Sequence, residues 1–184
     1  MLLHEFVKIN FLVIINQYKD NMNKIKLSGI YPISPNYINS DDEYLEKCYI
    51  AIESGINMFQ FRSPSFSSRK RRYLLNEIYK CCLDNNVQLV INNDYSIARY
   101  YDGAGVHIGK KDLSIKSIKN IIGSETLIGY SCGSEIMDLK HLKENGISYY
   151  SIGALFKSST KTNTKKLTQI QSRNIEHVMI YQCV

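Results

Sequence analysis

The sequence predicts an α/β fold in which short parallel strands close into a barrel beneath a layer of helices. Three observations carry this expectation. From residue 26 onward, short apolar runs alternate with amphipathic ones, giving seven strand-like and six helical segments; such alternation belongs to a parallel sheet covered by helices. No glycine-rich phosphate loop follows the first strand, which makes an open doubly wound sheet the second choice. Finally, polar clusters recur at the ends of the strands, where a parallel barrel builds its chemistry. They are Gln60/Arg62, Asn92–Asp94, His107, Asp112, Ser131–Cys132 and Ser158–Lys161.

The elements read as follows. KLSGIYPI (26–33) is the first strand, and DDEYLEKCYIAIES (41–54) is a helix ending at Gly55, a residue suited to the C′ position. INMFQFR (56–62) is the second strand. Its alternation sends Gln60 and Arg62 to one face and Phe59 and Phe61 to the other. SSRKRRYLLNEIYKCCLDN (67–85) is a helix with Leu74, Leu75, Ile78, Cys81 and Cys82 along one side. VQLVIN (87–92), a short helix YSIARYY (95–101), GVHIG (105–109) and the helix SIKSIKNII (114–122) come next. TLIGYS (126–131) is a strand, and EIMDLKHLKEN (135–145) is a helix closed by Gly146. ISYYSIGAL (147–155), a weak helix LTQIQSRN (167–174) and the strand HVMIYQCV (177–184) complete the pattern.

A chain of 184 residues suits a single domain with a substantial core. We divide it into an N-terminal extension, 1–21, and a barrel domain, 22–184, because the regular pattern begins just after Met22. The net charge is +6, but the lysines and arginines are scattered, with neither zinc-finger spacing nor a basic helix interleaved with aromatics. Nucleic acid is therefore not the expected partner. Five cysteines without a CxxC pair argue against a disulfide framework and for the reducing cytoplasm. The run FLVII (11–15) is too short to span a bilayer and lacks the flanks of a signal peptide.

Each polar cluster has a functional and a structural reading. Arg62 can grip a phosphate through two parallel hydrogen bonds with Gln60 adding a donor, or the two can finish an edge strand in water. Asp94, with the amide oxygens of Asn92 and Asn93, can help hold magnesium, or cap the following helix. Asp112 can be a second magnesium ligand, or cap the helix SIKSIKNII. His107 reads as a satisfied core histidine rather than a catalytic one, and Cys132 as an inert thiol rather than a nucleophile. SSTK (158–161) forms a hydroxyl-rich cationic loop that suits a diphosphate or simply faces solvent.

The order QFR, INND, GVHIGKKDL, GYSC and SIGALFKSSTK resembles the thiamine phosphate synthase/TenI family over about 28–184. The stretch QFRSPSFS is closest to the TenI-like domain found fused to Nudix hydrolases. This resemblance implies a TIM barrel and a transferase of thiamine biosynthesis. Such an enzyme condenses hydroxymethylpyrimidine diphosphate with thiazole phosphate and releases diphosphate, with magnesium as cofactor. It implies that Gln60, Arg62 and Lys161 hold the diphosphate beside Asn92, and that Asp112 binds magnesium. It also implies that Ser131 lies at the reacting centre with Arg62, and that Thr160 contacts the thiazole phosphate.

Against the family pattern, Pro64 stands where a lysine is common. The pair at the third strand is Asn92–Asn93 with Asp94 displaced by one, and Gly133 replaces a histidine. The chain shows seven parallel strands and no eighth βα unit. Two alternatives follow: a TenI-like thiazole tautomerase, and a non-catalytic barrel that binds a phosphorylated ligand. The missing unit leaves strand edges open, which predicts that FVKINFLVII (6–15) packs near the gap or that a homo-oligomer covers it.

Overall fold

A computed structural model describes residues 11–13, 29–35, 39–63, 65–133, 144–152 and 179–182. A short strand β1 (Phe11–Val13) comes first, then helix α1 (Asp41–Glu53) and strand β2 (Met58–Phe61). Helix α2 (Ser68–Asp84), strand β3 (Gln88–Asn92) and the single turn α3 (Tyr95–Ala98) follow. Strand β4 (Gly105–Gly109), helix α4 (Ile115–Ile122), β5 (Ile128–Gly133), β6 (Tyr149–Ile152) and β7 (Met179–Gln182) complete the order.

The strands lie in the order β1-β7-β6-β5-β4-β3-β2. Every neighbouring pair from β2 to β7 is parallel. Six of the seven expected parallel strands are therefore present as strands. The first, 26–33, is a correction: its described part makes an isolated parallel bridge, Ile33 to Gln60, instead of a ladder. Pro32 has no N–H to extend the ladder on one side, and on the other the Arg62 N–H goes to the Ser34 hydroxyl instead of its carbonyl. The pairing that remains is firm, with Gln60 N–H donating to Pro32 O at 2.9 Å and Ser34 N–H to Gln60 O at 2.8 Å. The expected helices 135–145 (apart from residues 144 and 145) and 167–174 lie outside the described residues.

Strand β1 pairs antiparallel with β7, Leu12 opposite Tyr181, so part of segment 6–15 covers an edge of the parallel sheet. Removing residues 1–21 exposes that edge. Deletion should lower the melting temperature by at least about 3 °C, roughly 1 kcal/mol for a chain of this size. Calorimetry of the full-length and shortened chains, with an unchanged midpoint as the contrary result, checks this.

Two apolar clusters follow from strand alternation. Phe59, Phe61, Leu89, Ile91, Val106, Ile108 and Ile128 point outward and meet Leu74, Leu75, Ile78, Cys81 and Cys82 of α2. The opposite face holds a smaller cluster of Tyr31, Met58, Val90 and Tyr149, with Leu127 against it. Glycines make this inner space. A Cβ on Gly105 would lie 2.8 Å from Leu127 Cδ2, and one on Gly129 would fall inside the Tyr149 ring.

Helix α2 begins with a serine cap, Ser67 accepting from Lys70 N–H, followed by the cationic run 69–72. Positive charge at a helix N-terminus opposes the macrodipole. Two carboxylates answer it: Asp41 pairs with Lys70 at 2.5 Å and Asp94 with Arg71 at 2.7 Å. Among the described residues, no helix is long and apolar enough to cross a membrane.

Candidate functional site

Because the strands are parallel, their carboxyl ends converge on one rim, and Arg62, Asn92, Asp112 and Ser131 lie at those ends. Arg62 directly follows β2. Its backbone is locked to the first segment by a reciprocal pair: Arg62 N–H donates to Ser34 Oγ at 2.8 Å, and Ser34 Oγ–H donates to Arg62 O at 3.1 Å. Its half-buried side chain leaves this anchored position at the rim. Asn92 ends β3, and its amide reaches His107 O at 3.5 Å, a weak contact.

Asn93 adopts the left-handed conformation, φ 59°, which asparagine tolerates better than most residues. This turn sends its N–H to His107 O at 2.9 Å and its side-chain amide to Asp112 Oδ2 at 2.5 Å. The same carboxylate oxygen accepts from Gly109 N–H at 2.7 Å. Asp112 is thus clamped by two donors at the end of β4, and the cap of α4 is supplied by Ser114 instead.

Asp94 takes a different place. Oδ2 pairs with Arg71, while Oδ1 accepts from Ser96 Oγ at 2.9 Å and from Ile97 N–H at 3.3 Å, capping α3. Both oxygens are engaged in structural contacts. Asp94→Ala should therefore cost about 1–2 kcal/mol of stability through the lost cap and ion pair. Urea unfolding measures this, and a loss of magnesium affinity without a loss of stability would move Asp94 into the metal site.

Ser131 on β5 is paired in register with Ser151 on β6, and Gly109 with Ser131. A Cβ on Gly109 would stand 3.7 Å from Ser131 Cβ and 3.9 Å from Asp112 Oδ2, so Asp112, Gly109 and Ser131 adjoin one another. Ser151 is 1% exposed, and its hydroxyl is a buried polar atom with no hydrogen-bond partner among the described residues. Such orphans are uncommon in folded proteins. Pro64, Thr160 and Lys161 lie outside the described residues.

Below the rim runs a buried chain that the sequence reading did not anticipate. Gln60, 1% exposed, donates from Nε2 to Tyr31 Oη at 3.0 Å. Tyr31 Oη lies 2.7 Å from Tyr149 Oη, and Tyr149 Oη lies 3.1 Å from His107 Nδ1. The His107 and Tyr149 rings stack at 5.5 Å, and Tyr31 meets Tyr149 edge-on at 5.8 Å. His107 is the satisfied core histidine expected of it. A signal did exist: Tyr31, Gln60, His107 and Tyr149 all have inward parity on their segments. What relates them is tertiary, since Tyr31 and Tyr149 are 118 residues apart.

The thiols are consistent with inert packing. Cys48, Cys81 and Cys82 are free and buried, Cys132 is buried as well, and burial pushes the Cys48 thiol up to about 12. Among the described residues, no three His, Cys, Asp or Glu side chains gather to hold a metal. The donor set at the rim is one carboxylate, Asp112, with asparagine amides beside it. That set suits magnesium, a hard cation that retains waters and shares substrate phosphates.

Residues 30–184 match the family model described as thiamine monophosphate synthase. The chain belongs to this family. The thiamine-phosphate synthase of Nitrosomonas eutropha is 30% identical over 142 residues, covering 77% of this chain and 66% of the relative. That of Alcanivorax borkumensis is 27% identical over 136 residues, covering 74% of this chain and 63% of the relative. The solved thiamine phosphate pyrophosphorylase from Pyrococcus furiosus superposes with a TM-score of 0.60 at 20% identity, covering 70% of this chain and 61% of that one. This likeness shows the TIM-barrel-like fold. The chain thus spans about two thirds or less of the length of these relatives.

Proposed function

We propose that the protein is a thiamine phosphate synthase, joining a hydroxymethylpyrimidine diphosphate to a thiazole phosphate with release of diphosphate. The observation that carries this reading is the clamped Asp112 carboxylate beside Ser131 at the barrel rim, in a chain of this family. Asp112, with the neighbouring asparagine oxygens, would hold magnesium. When bound, that cation would neutralise charge on the diphosphate. The chain's own groups supply the rest. Arg62, fixed through its backbone to Ser34, offers a planar cationic fork to the leaving diphosphate. Gln60 adds an amide donor from the inner face, and Thr160 and Lys161 would extend the anion cradle. Fixed donors of this kind stabilise charge developing on a leaving group without reorganising. Ser131 would contact the reacting pyrimidine, with the inner tyrosine layer beneath excluding water. Buried free thiols suit a reducing, cytoplasmic setting.

Purified protein given magnesium and both substrates should form thiamine phosphate and free diphosphate in equal amounts. No product and no calorimetric binding of either substrate would sink this reading. Arg62→Ala should weaken binding of the pyrimidine diphosphate by about 1.5–3 kcal/mol, the range for a hydrogen bond to a charged group. An affinity within error of wild type would return Arg62 to the role of a surface edge residue.

One observation favours a second reading. The third-strand turn contributes no available carboxylate, because Asn93 is an amide and Asp94 is engaged with Arg71. A barrel that binds a phosphorylated ligand without condensation would show ligand binding, no product and little dependence on magnesium.

A further inference from the structure

We propose that Tyr31 and Tyr149 are positioning residues that set the amide of Gln60 for anion contact; the proposal rests on the reading of Gln60 as a diphosphate ligand. Of the predicted anion donors among the described residues, Gln60 is the most buried, at 1% exposed. A carboxamide left alone in such a place could present either its oxygen or its nitrogen to an incoming anion, and only the nitrogen attracts one. Here the choice is made by Tyr31: with its own proton directed at Tyr149 Oη, its hydroxyl can only accept, and it takes one N–H of Nε2 at 3.0 Å. Among the described residues the second N–H of that nitrogen takes no partner and is open to a ligand.

Tyr31 is itself held. Its hydroxyl lies 2.7 Å from Tyr149 Oη, and Tyr149 is tied to His107 Nδ1 at 3.1 Å and stacked on that ring. The rings have little room to swing, because Tyr149 fills the space left by Gly129, and the Tyr31 and Tyr149 rings meet at 89°. The chain crosses from the first segment through β2 to β4 and β6, so opposite walls of the sheet fix one amide. Polar networks in which every member is bonded make such orientations unique.

Tyr31→Phe and Tyr149→Phe keep the rings and delete the hydroxyls. The first readout needs no ligand: the side-chain amide proton pair of Gln60, assigned by its disappearance in Gln60→Ala, followed by NMR with hydrogen exchange. In wild type this pair should be single, shifted and slow to exchange. In Tyr31→Phe it should move and exchange at least about tenfold faster, and in Tyr149→Phe it should change in the same direction by less. An unmoved Gln60 pair in a folded Tyr31→Phe protein overturns the proposal. If Tyr31→Phe does not fold, an unmoved pair in Tyr149→Phe does so.

The second readout is affinity for the pyrimidine diphosphate. Gln60→Ala and Tyr31→Phe should each weaken it about five- to tenfold, and the double variant should be no weaker than Gln60→Ala alone. Multiplying effects would overturn the proposal, since Tyr31 would then act independently of Gln60. A wild-type protein that binds no pyrimidine diphosphate fails the functional reading instead, and the amide resonance alone then decides on positioning.

Discussion

Gly129→Ala is expected to lower the unfolding free energy by about 3 kcal/mol or more, the upper range for overpacking a filled interior. The added methyl would occupy the place of the Tyr149 ring, which is 5% exposed and packed against Tyr31, Met58 and Val90. Tyr149 cannot step aside without breaking its hydrogen bonds to Tyr31 and His107, a further cost of about 0.5–1.5 kcal/mol for each. Gly55→Ala makes a useful contrast. That glycine has open space around it and a φ of 83°, so its cost is a backbone cost of about 1 kcal/mol. Urea unfolding of both variants separates the cases. A Gly129→Ala protein no less stable than Gly55→Ala would mean that the inner layer is loosely packed.

Asp112→Ala is expected to lower magnesium-dependent turnover at least about a hundredfold, the scale seen when one preorganised electrostatic group is removed. The carboxylate is the one rim acid not already engaged by a cation among the described residues, and two donors hold it in place. Asn93→Ala would remove one of those donors but not the charge, so its effect should be smaller, about tenfold. Asn93→Asp would set a second carboxylate against Asp112. Without metal it should destabilise the turn, and with magnesium it should tighten metal binding. Titrating magnesium against initial rate for the three variants checks the order. Equal turnover in wild type and Asp112→Ala would remove Asp112 from the chemistry.

The strands and helices between residues 41 and 133 were legible because two periodicities change places there without ambiguity. The apolar stripe Leu74, Leu75, Ile78, Cys81, Cys82 could only be one face of a helix, and it is the buried face of α2. GVHIG could only be a short buried strand, and β4 has those bounds. The first segment misled because its apolar alternation is genuine while Pro32 lacks the N–H that would extend the bridge of Ile33 to Gln60 into a ladder. At the rim, residue type and strand position were enough to gather Arg62, Asn92, Asp112 and Ser131. They could not separate Asp94 from Asp112. Both are single acids after a strand, and only the tertiary approach of Arg71 turns one of them into a helix cap and ion-pair partner. The inner chain from Gln60 to His107 was illegible for the same reason: hydroxyls distant in sequence meet only after the sheet has curved.

The protein contains no tryptophan and fourteen tyrosines, and two of those tyrosines share a hydrogen bond in its interior. Its ultraviolet spectrum is therefore a report on the inner layer. Fixed, asymmetrically packed phenols give near-ultraviolet circular dichroism that fluctuating ones lose. The tyrosine band should therefore fade when the barrel interior loosens, even where the far-ultraviolet signal of the helices persists. The molecule carries its own probe for telling a correctly packed interior from a merely collapsed chain, and no label needs to be introduced.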